Sequence, residues 1–453
     1  MVWEEPMKST LKLTAMKTAL TFSLLVAGLS SAAYAKDIVR FLHNETDPPS
    51  IEFFNKAIAE FEAQNPDIDV QMEVINTDGR LQKVLAGLNT KTMPEVFKIL
   101  PEERFDFARN GYIQPLDDMI KEIGADDFAN GSLTKVDGKV YDMPYALGDY
   151  GVMWYRSDLL DAKGLKPPKT WDEMEAAAKA ITGGTNKGFI IPAGKNRANS
   201  IFFAQMLWSA GGTFFDKDLN VTFDSPATVK TLEYLKRIAA YAPQGIGSYS
   251  HPDMINVYMT GTLGMDIYAG RLVANVAANR PDLLEKTKAA DNPVGPSGTN
   301  VRFVGANSFA LSTPAVGAKA PEAARKFLKF LVTGERLKNF SLTAFPHLIP
   351  PLKSVQDGVI QAGIPQIKGR EDLARAAFET TNGLDFESEA GAIIKDGKVI
   401  KSGVTNPYMG AIIARSIPAV VLQKVLLQGE DPKVAAKWGQ DEMQAVVDEL
   451  KKH

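Results

Sequence analysis

The chain has 453 residues, 51 Lys and Arg against 54 Asp and Glu, a formal net charge of −3 and no cysteine. So even a balance leaves no basic excess to hold a nucleic-acid backbone or an anionic membrane surface. The missing thiols exclude disulfides, thiolate metal sites and a lipid-anchored cysteine behind a leader, and the length exceeds one ordinary hydrophobic core.

The first predicted element is a leader. From Met16 the chain reads Met-Lys-Thr, then an apolar run from Ala19 to Leu29, then small residues ending Ala33-Tyr34-Ala35. This is a positive start, a hydrophobic run about half the roughly 20 residues that span a bilayer, and an A-x-A cleavage site. Residues 1–35 are therefore expected to be a cleaved signal peptide, and the free mature chain is placed in the periplasm of a two-membrane bacterium. Glu4 and Glu5 suit a leader poorly, which leaves Met1, Met7 and Met16 as alternative starts.

The mature chain opens with a strand at Asp37–Leu42. A helix over 51–64 follows, carrying Ile51, Phe54, Ile58 and Phe61 at helical spacing and stopped by Asn65-Pro66. A second strand runs over 68–75, alternating Val70, Met72 and Val74. Strand, helix, strand in about 40 residues is a βαβ unit, and such units build a parallel sheet covered by helices. The pattern continues with a helix over 79–88, a strand over 95–100 and a helix over 103–110. Tyr145 to Tyr155 reads as one strand-like run. Thr170 caps a helix to Ile181, with Glu173 three residues on. Another βα cycle spans 189–211, Asp224 or Ser225 caps a helix toward Tyr241, and strands are predicted at 263–267 and 303–311. The last 130 residues or so read as mostly helical.

Enzyme signatures are scarce. There is no glycine-rich phosphate loop, no G-x-S-x-G elbow and no H-E-x-x-H. His43, His251, His347 and His453 are spread along the chain, which argues against a metal site or a Ser-His-Asp triad. Asp216-Lys-Asp218-Leu-Asn220 lacks the glycine and glutamate of a calcium loop and reads as a polar turn. Glu102, Glu103 and Asp149 fall where parallel α/β sheets place ligands, at or after strand ends. A carboxylate pair among them is what a glycosidase needs. Aromatic residues offer stacking faces for sugars, with Trp154, Trp171, Trp208, Tyr150, Tyr268 and Phe345 as candidates. Trp154, Trp171 and Trp438 read as packing residues.

Several stretches together resemble one family. These are Phe53–Val70, Met93-Pro-Glu-Val-Phe97, Phe107–Leu116, Val136–Pro144 with Val152–Tyr155 and Ser157–Leu160, Pro167–Glu173, Ser209-Ala-Gly-Gly212 and Val221–Pro226. In this order they are similar to the family 1 extracellular solute-binding proteins of ABC importers, a group that includes sugar-binding proteins.

The resemblance implies an α/β, two-lobed periplasmic-binding-protein fold with the ligand cleft between the lobes. One lobe would hold 36–145 plus about 300–350, the other 146–299 plus part of the mostly helical 351–453. The crossings would fall near Met143–Asp149 and Pro296–Val304. It also implies a binding protein rather than an enzyme, with no cofactor and no metal. The chain would be a monomer that captures a carbohydrate by hinge closure and delivers it to an ABC membrane permease. By position, the ligand-binding residues would be His43, Asn44, Glu45, Glu102, Glu103, Arg104, Asp149, Tyr150, Asn199, Trp208, Tyr268, Arg271, Asn307 and Phe345. Arg271 stands near a position that is often Trp in sugar binders. A guanidinium there raises an alternative, an anionic solute such as glycerol phosphate or a sugar acid. A secreted glycosidase using Glu102 or Glu103 with Asp149 is the third reading.

Overall fold

The computed structural model describes residues 36–129, 132–378, 383–395 and 398–452. The leader reading falls on residues 1–35, outside the described residues. Among the described residues ten strands form two main sheets. In chain order they are β1 (Asp37–His43), β2 (Ile68–Val74), β3 (Val96–Ile99), β4 (Met143–Asp149) and β5 (Val152–Arg156). They continue as β6 (Lys187–Phe189), β7 (Leu263–Tyr268), β8 (Thr287–Asp291), β9 (Arg302–Leu311) and β10 (Gly383–Leu384). The first sheet has the order β10-β9-β3-β1-β2, with β4 also paired to β9, and the second has the order β6-β7-β5-β8. A separate two-stranded antiparallel pair joins Ile393–Lys395 to Lys398–Lys401.

The βαβ reading of the first 100 residues holds. β1 pairs in parallel with β2 and β3, and the intervening helices run over Pro48–Gln64 and Thr77–Thr90. Phe41 on β1 meets Phe54, Phe309 and Phe327 at ring-centroid distances of 5.3, 5.1 and 5.4 Å. Each such pair is worth about 0.5–1.5 kcal/mol beyond its buried area, which fixes the first helix and β9 on the sheet.

Tyr145–Tyr155 is not one strand. It divides at Tyr150–Gly151 into β4, which pairs with β9 in the first sheet, and β5, which pairs with β7 and β8 in the second. Burial of both halves, apolar on either side of Gly148-Asp149-Tyr150-Gly151, makes the two strands read as one. The chain returns to the first sheet between Asp291 and Arg302.

A core around Met153, Phe202, Trp208, Phe223 and Leu235 takes in Leu384, Phe386, Val421 and Met443. The helices Ile417–Leu426 and Pro432–Leu450 thus join the core of the second sheet by packing on the helices Arg197–Ser209 and Pro226–Ile238. The core built on Phe41 continues through Phe345 and Leu348 beneath the helices His251–Met259 and Arg271–Asn279.

Candidate functional site

In parallel α/β units each helix starts beyond the carboxyl end of a strand, so helix starts gather on one side of the sheet. Here the starts of six helices border a single cavity of about 530 Å3. Asp47, Asn76, Leu100, Asn196 and Ser250 are the residues that precede helices, and Arg271 is the first residue of another. Unpaired N–H groups and partial positive charge at helix starts favour oxygen-rich ligands.

The floor on the first-sheet side is charged. Lys98, mid-strand in β3, is 3% exposed. Its Nζ donates to Tyr145 Oη at 2.6 Å and Asn307 Oδ1 at 2.8 Å, and lies 3.5 Å from Glu45 Oε1. Tyr145 Oη in turn donates to Glu45 Oε1 at 2.6 Å. Burial alone would raise the Glu45 pKa, yet Lys98 and Arg271 hold it down at about 2. Burial brings Lys98 down to about 8, against the pull of Glu45. From the opposite side, Arg271 Nη2 donates to Glu45 Oε2 at 3.3 Å and Nη1 donates to Asp47. Arg271 is thus committed to two carboxylates of this chain.

The second-sheet side brings aromatic rings and two neutral imidazoles together with Arg197, the first residue of the helix Arg197–Ser209. Tyr150, on the segment joining β4 to β5, sits 5.4 Å from the His251 ring, 6.1 Å edge-on from Tyr268 and 6.2 Å from His347. Tyr268 is held by Trp154, whose indole donates to its carbonyl at 2.9 Å. Its own hydroxyl donates to the His251 carbonyl at 3.1 Å. His347 reaches the cavity because Gly270 lets two backbones touch: a Cβ there would lie 2.6 Å from the Pro346 carbonyl. Burial lowers the His251 pKa to about 3 and that of His347 well below its usual value, so both imidazoles are neutral. The Nδ1 atoms of both are buried without a hydrogen-bond partner.

Of the residues anticipated from sequence, Asn44, Glu45, Tyr150, Tyr268, Arg271 and Asn307 line this cavity. The structure places the others elsewhere. His43 packs on Phe41 and Phe54 and accepts the Glu45 backbone N–H at 3.2 Å. Glu103 pairs with Arg80 and accepts the Leu100 N–H at the start of its helix. Arg104 is buried between Asp142 and Glu387. Asp149 pairs with Arg302 at 2.5 Å and accepts the Gly151 N–H at 2.8 Å. Asn199 donates to the carbonyls of Gly194 and Ala419. Trp208 lies face to face with Phe303 in the core, and Phe345 packs edge-on against Phe378. The side chain of Glu102 lies outside the described atoms.

Sequence reasoning missed Asp47, Asn196, Lys98, His251 and His347 as cavity residues. Lys98 carried a signal: it is the one charged residue in the short strand Val-Phe-Lys-Ile. Among the described residues no group of three or more His, Cys, Asp or Glu is arranged to hold a metal ion.

Residues 47–335 match the sequence profile of the bacterial extracellular solute-binding proteins. The chain belongs to that family. A relative from Escherichia coli (strain K12) with the provisional name ABC transporter periplasmic-binding protein YcjN is 24% identical over 349 residues, 75% of this chain and 78% of its own. Among solved structures, maltose-bound MalE3 of T. maritima superposes with a TM-score of 0.74 at 20% identity, covering 90% of this chain and 99% of that one. An ABC transporter solute-binding protein from Agrobacterium vitis S4 with bound D-mannitol gives 0.70 at 23% identity, covering 92% and 99%. The fold is therefore that of the periplasmic binding proteins. As an extracellular solute-binding protein the chain binds rather than transforms its ligand, and the cavity at Tyr150 is its candidate solute site. No helix among the described residues is long and apolar enough to cross a membrane.

Proposed function

We propose that this solute-binding protein serves an ABC importer in the periplasm and encloses one neutral, polyhydroxylated solute of sugar or polyol type. The observation that carries the reading is the division of labour in the cavity. Its charges meet each other, Arg271 with Glu45 and Asp47, Lys98 with Glu45. Beside these pairs the cavity presents Arg197, which lies over the Phe303 ring, and neutral polar groups, the Nδ1 atoms of His251 and His347 beside Tyr150 and Tyr268. An anionic solute would have to displace the carboxylates from Arg271, so the geometry favours the neutral one. Size agrees: about 530 Å3 lies within the roughly 300–1,000 Å3 usual for small-molecule pockets. That suits a monosaccharide or hexitol with bridging waters, or a compact disaccharide. The sugar and polyol seen in the maltose and D-mannitol complexes of its structural relatives are of this kind.

The glycosidase reading has little support, since Glu103 and Asp149 are each paired away from the cavity.

The proposed working cycle is closure of two lobes about the crossings at Tyr150–Gly151 and residues 292–301, followed by docking of the closed form on the permease. Taking a mostly open protein to mostly closed requires a ligand preference for the closed form of about 5.5 kcal/mol. Four or five hydrogen bonds of about 0.5–1.5 kcal/mol each, with one stacked ring, are of that order. The test is the melting temperature of ligand-stripped protein against a panel of neutral sugars and polyols. At least one member raises it in a saturable way; a folded protein indifferent to the whole panel would overturn the reading.

A further inference from the structure

Tyr150, Ala198, His251 and Tyr268 each have a second side. Besides bordering the main cavity, they wall a small adjoining chamber of about 10 Å3. Its other walls are apolar, among them Ile201, Phe202, Met254 and Ile267, apart from Gln205. Gln205 is 1% exposed, and its Oε1 has no hydrogen-bond partner. Neither has His251 Nδ1, on the chamber's facing helix. A buried polar atom left unpaired is costly, so an amide oxygen and an imidazole nitrogen without partners on two residues that wall one chamber call for an occupant.

The chamber admits about one water-sized atom. A buried water makes about three hydrogen bonds, and the chamber offers two unpartnered atoms. A solute hydroxyl needs only those two, because its third neighbour is its own carbon, which the apolar walls accommodate. We propose that Gln205 and His251 form a specificity pocket for a single hydroxyl at one end of the solute, so that the protein rejects the analogue lacking that hydroxyl. This rests on the neutral-solute reading above and adds to it which residue reads the solute's end.

The test begins with isothermal titration of wild type with D-mannitol, maltose, D-glucose and D-galactose, which selects the strongest-binding probe. Gln205→Leu, close in size and matched to the apolar walls, is then titrated with that probe and with its monodeoxy analogues. The expected result is an affinity at least about 10-fold weaker for the variant, with the unliganded melting temperature equal or higher. One monodeoxy analogue binds wild type weakly and suffers no further loss in the variant. Gln205→Met serves the same purpose if the leucine variant does not fold. Unchanged affinity, or equal added losses for every analogue, overturns the pocket while the proposed function stands. Failure of every neutral probe to bind folded wild type overturns both.

Discussion

Arg271 shows how a residue's meaning depends on its partners. In the sequence it is a guanidinium where a sugar binder often has a ring, and it points to an anionic solute. In the structure it spans Glu45 and Asp47, and its charge is already balanced. The same floor fixes the pH dependence of binding. Burial lowers the pKa of His43 to about 4 and that of His251 to about 3, and holds His347 well below the usual imidazole range, so all three rings are neutral at neutral pH. Affinity for a neutral solute is therefore constant between pH 5 and 7. It changes as Lys98 loses its proton near pH 8, and titration calorimetry of Lys98→Met shows that alkaline limb removed. Asp266 gives a stability prediction. It is fully buried, neither carboxylate oxygen has a partner, and burial raises its pKa well above the usual value. A folded carboxyl with a raised pKa contributes stability that is fully present below the unfolded value, about 3.9, and is lost as pH rises. Asp266→Asn should leave stability at pH 4 nearly unchanged and raise the melting temperature progressively from pH 5 to 7. His251 and His347 were hard to find in the sequence for a shared reason. Sequence distance between His251 and His347 says nothing of the 5.4 and 6.2 Å that bring both rings to Tyr150.

Local patterns resolved elements well wherever a cap or a period marked them. Thr170 accepts the Glu173 N–H, and Ser225 accepts that of Thr228, so both helix starts stand where their side chains place them. The closing half of the Thr170 box differs, because Glu173 accepts from Lys169 rather than Thr170. The break between β4 and β5 is marked in the sequence by Gly148-Asp149 and by Gly151. That glycine is required by close approach: a Cβ would lie 2.6 Å from Arg302 Cβ and 3.0 Å from its Cα. Arg302 is itself fixed by Asp149 and Asp291 and cannot easily withdraw. Gly151→Ala should therefore destabilise by about 1–3 kcal/mol, as overpacking does. Gly358→Ala is the matched control. It sits mid-helix with only the Lys338 side chain 3.9 Å away, and should stabilise by about 0.5–1 kcal/mol. Urea unfolding of the two variants checks both signs.

At the scale of the molecule, the order of βα units implied a parallel sheet covered by helices, and only the resemblance to the solute-binding proteins implied two lobes with a ligand between them. How the C-terminal region is fastened was not readable, because it depends on pairs far apart in sequence. Arg104, in the helix after β3, is buried with Asp142 and with Glu387 from beyond β10. Removing the guanidinium strands two buried carboxylates, so Arg104→Ala should lose about 3–5 kcal/mol in denaturant unfolding, without a specific effect on solute affinity. What the whole arrangement is for is decided by the charge of its solute. The direct measurement is isothermal titration of ligand-stripped protein with neutral sugars and polyols beside their carboxylate and phosphate counterparts, D-glucose with gluconate and glucose 6-phosphate among them. Paired cleft charges predict saturable binding of a neutral member, with its anionic counterparts at least about 10-fold weaker, the cost of displacing a carboxylate from Arg271. An anionic member binding more tightly than every neutral one would contradict it.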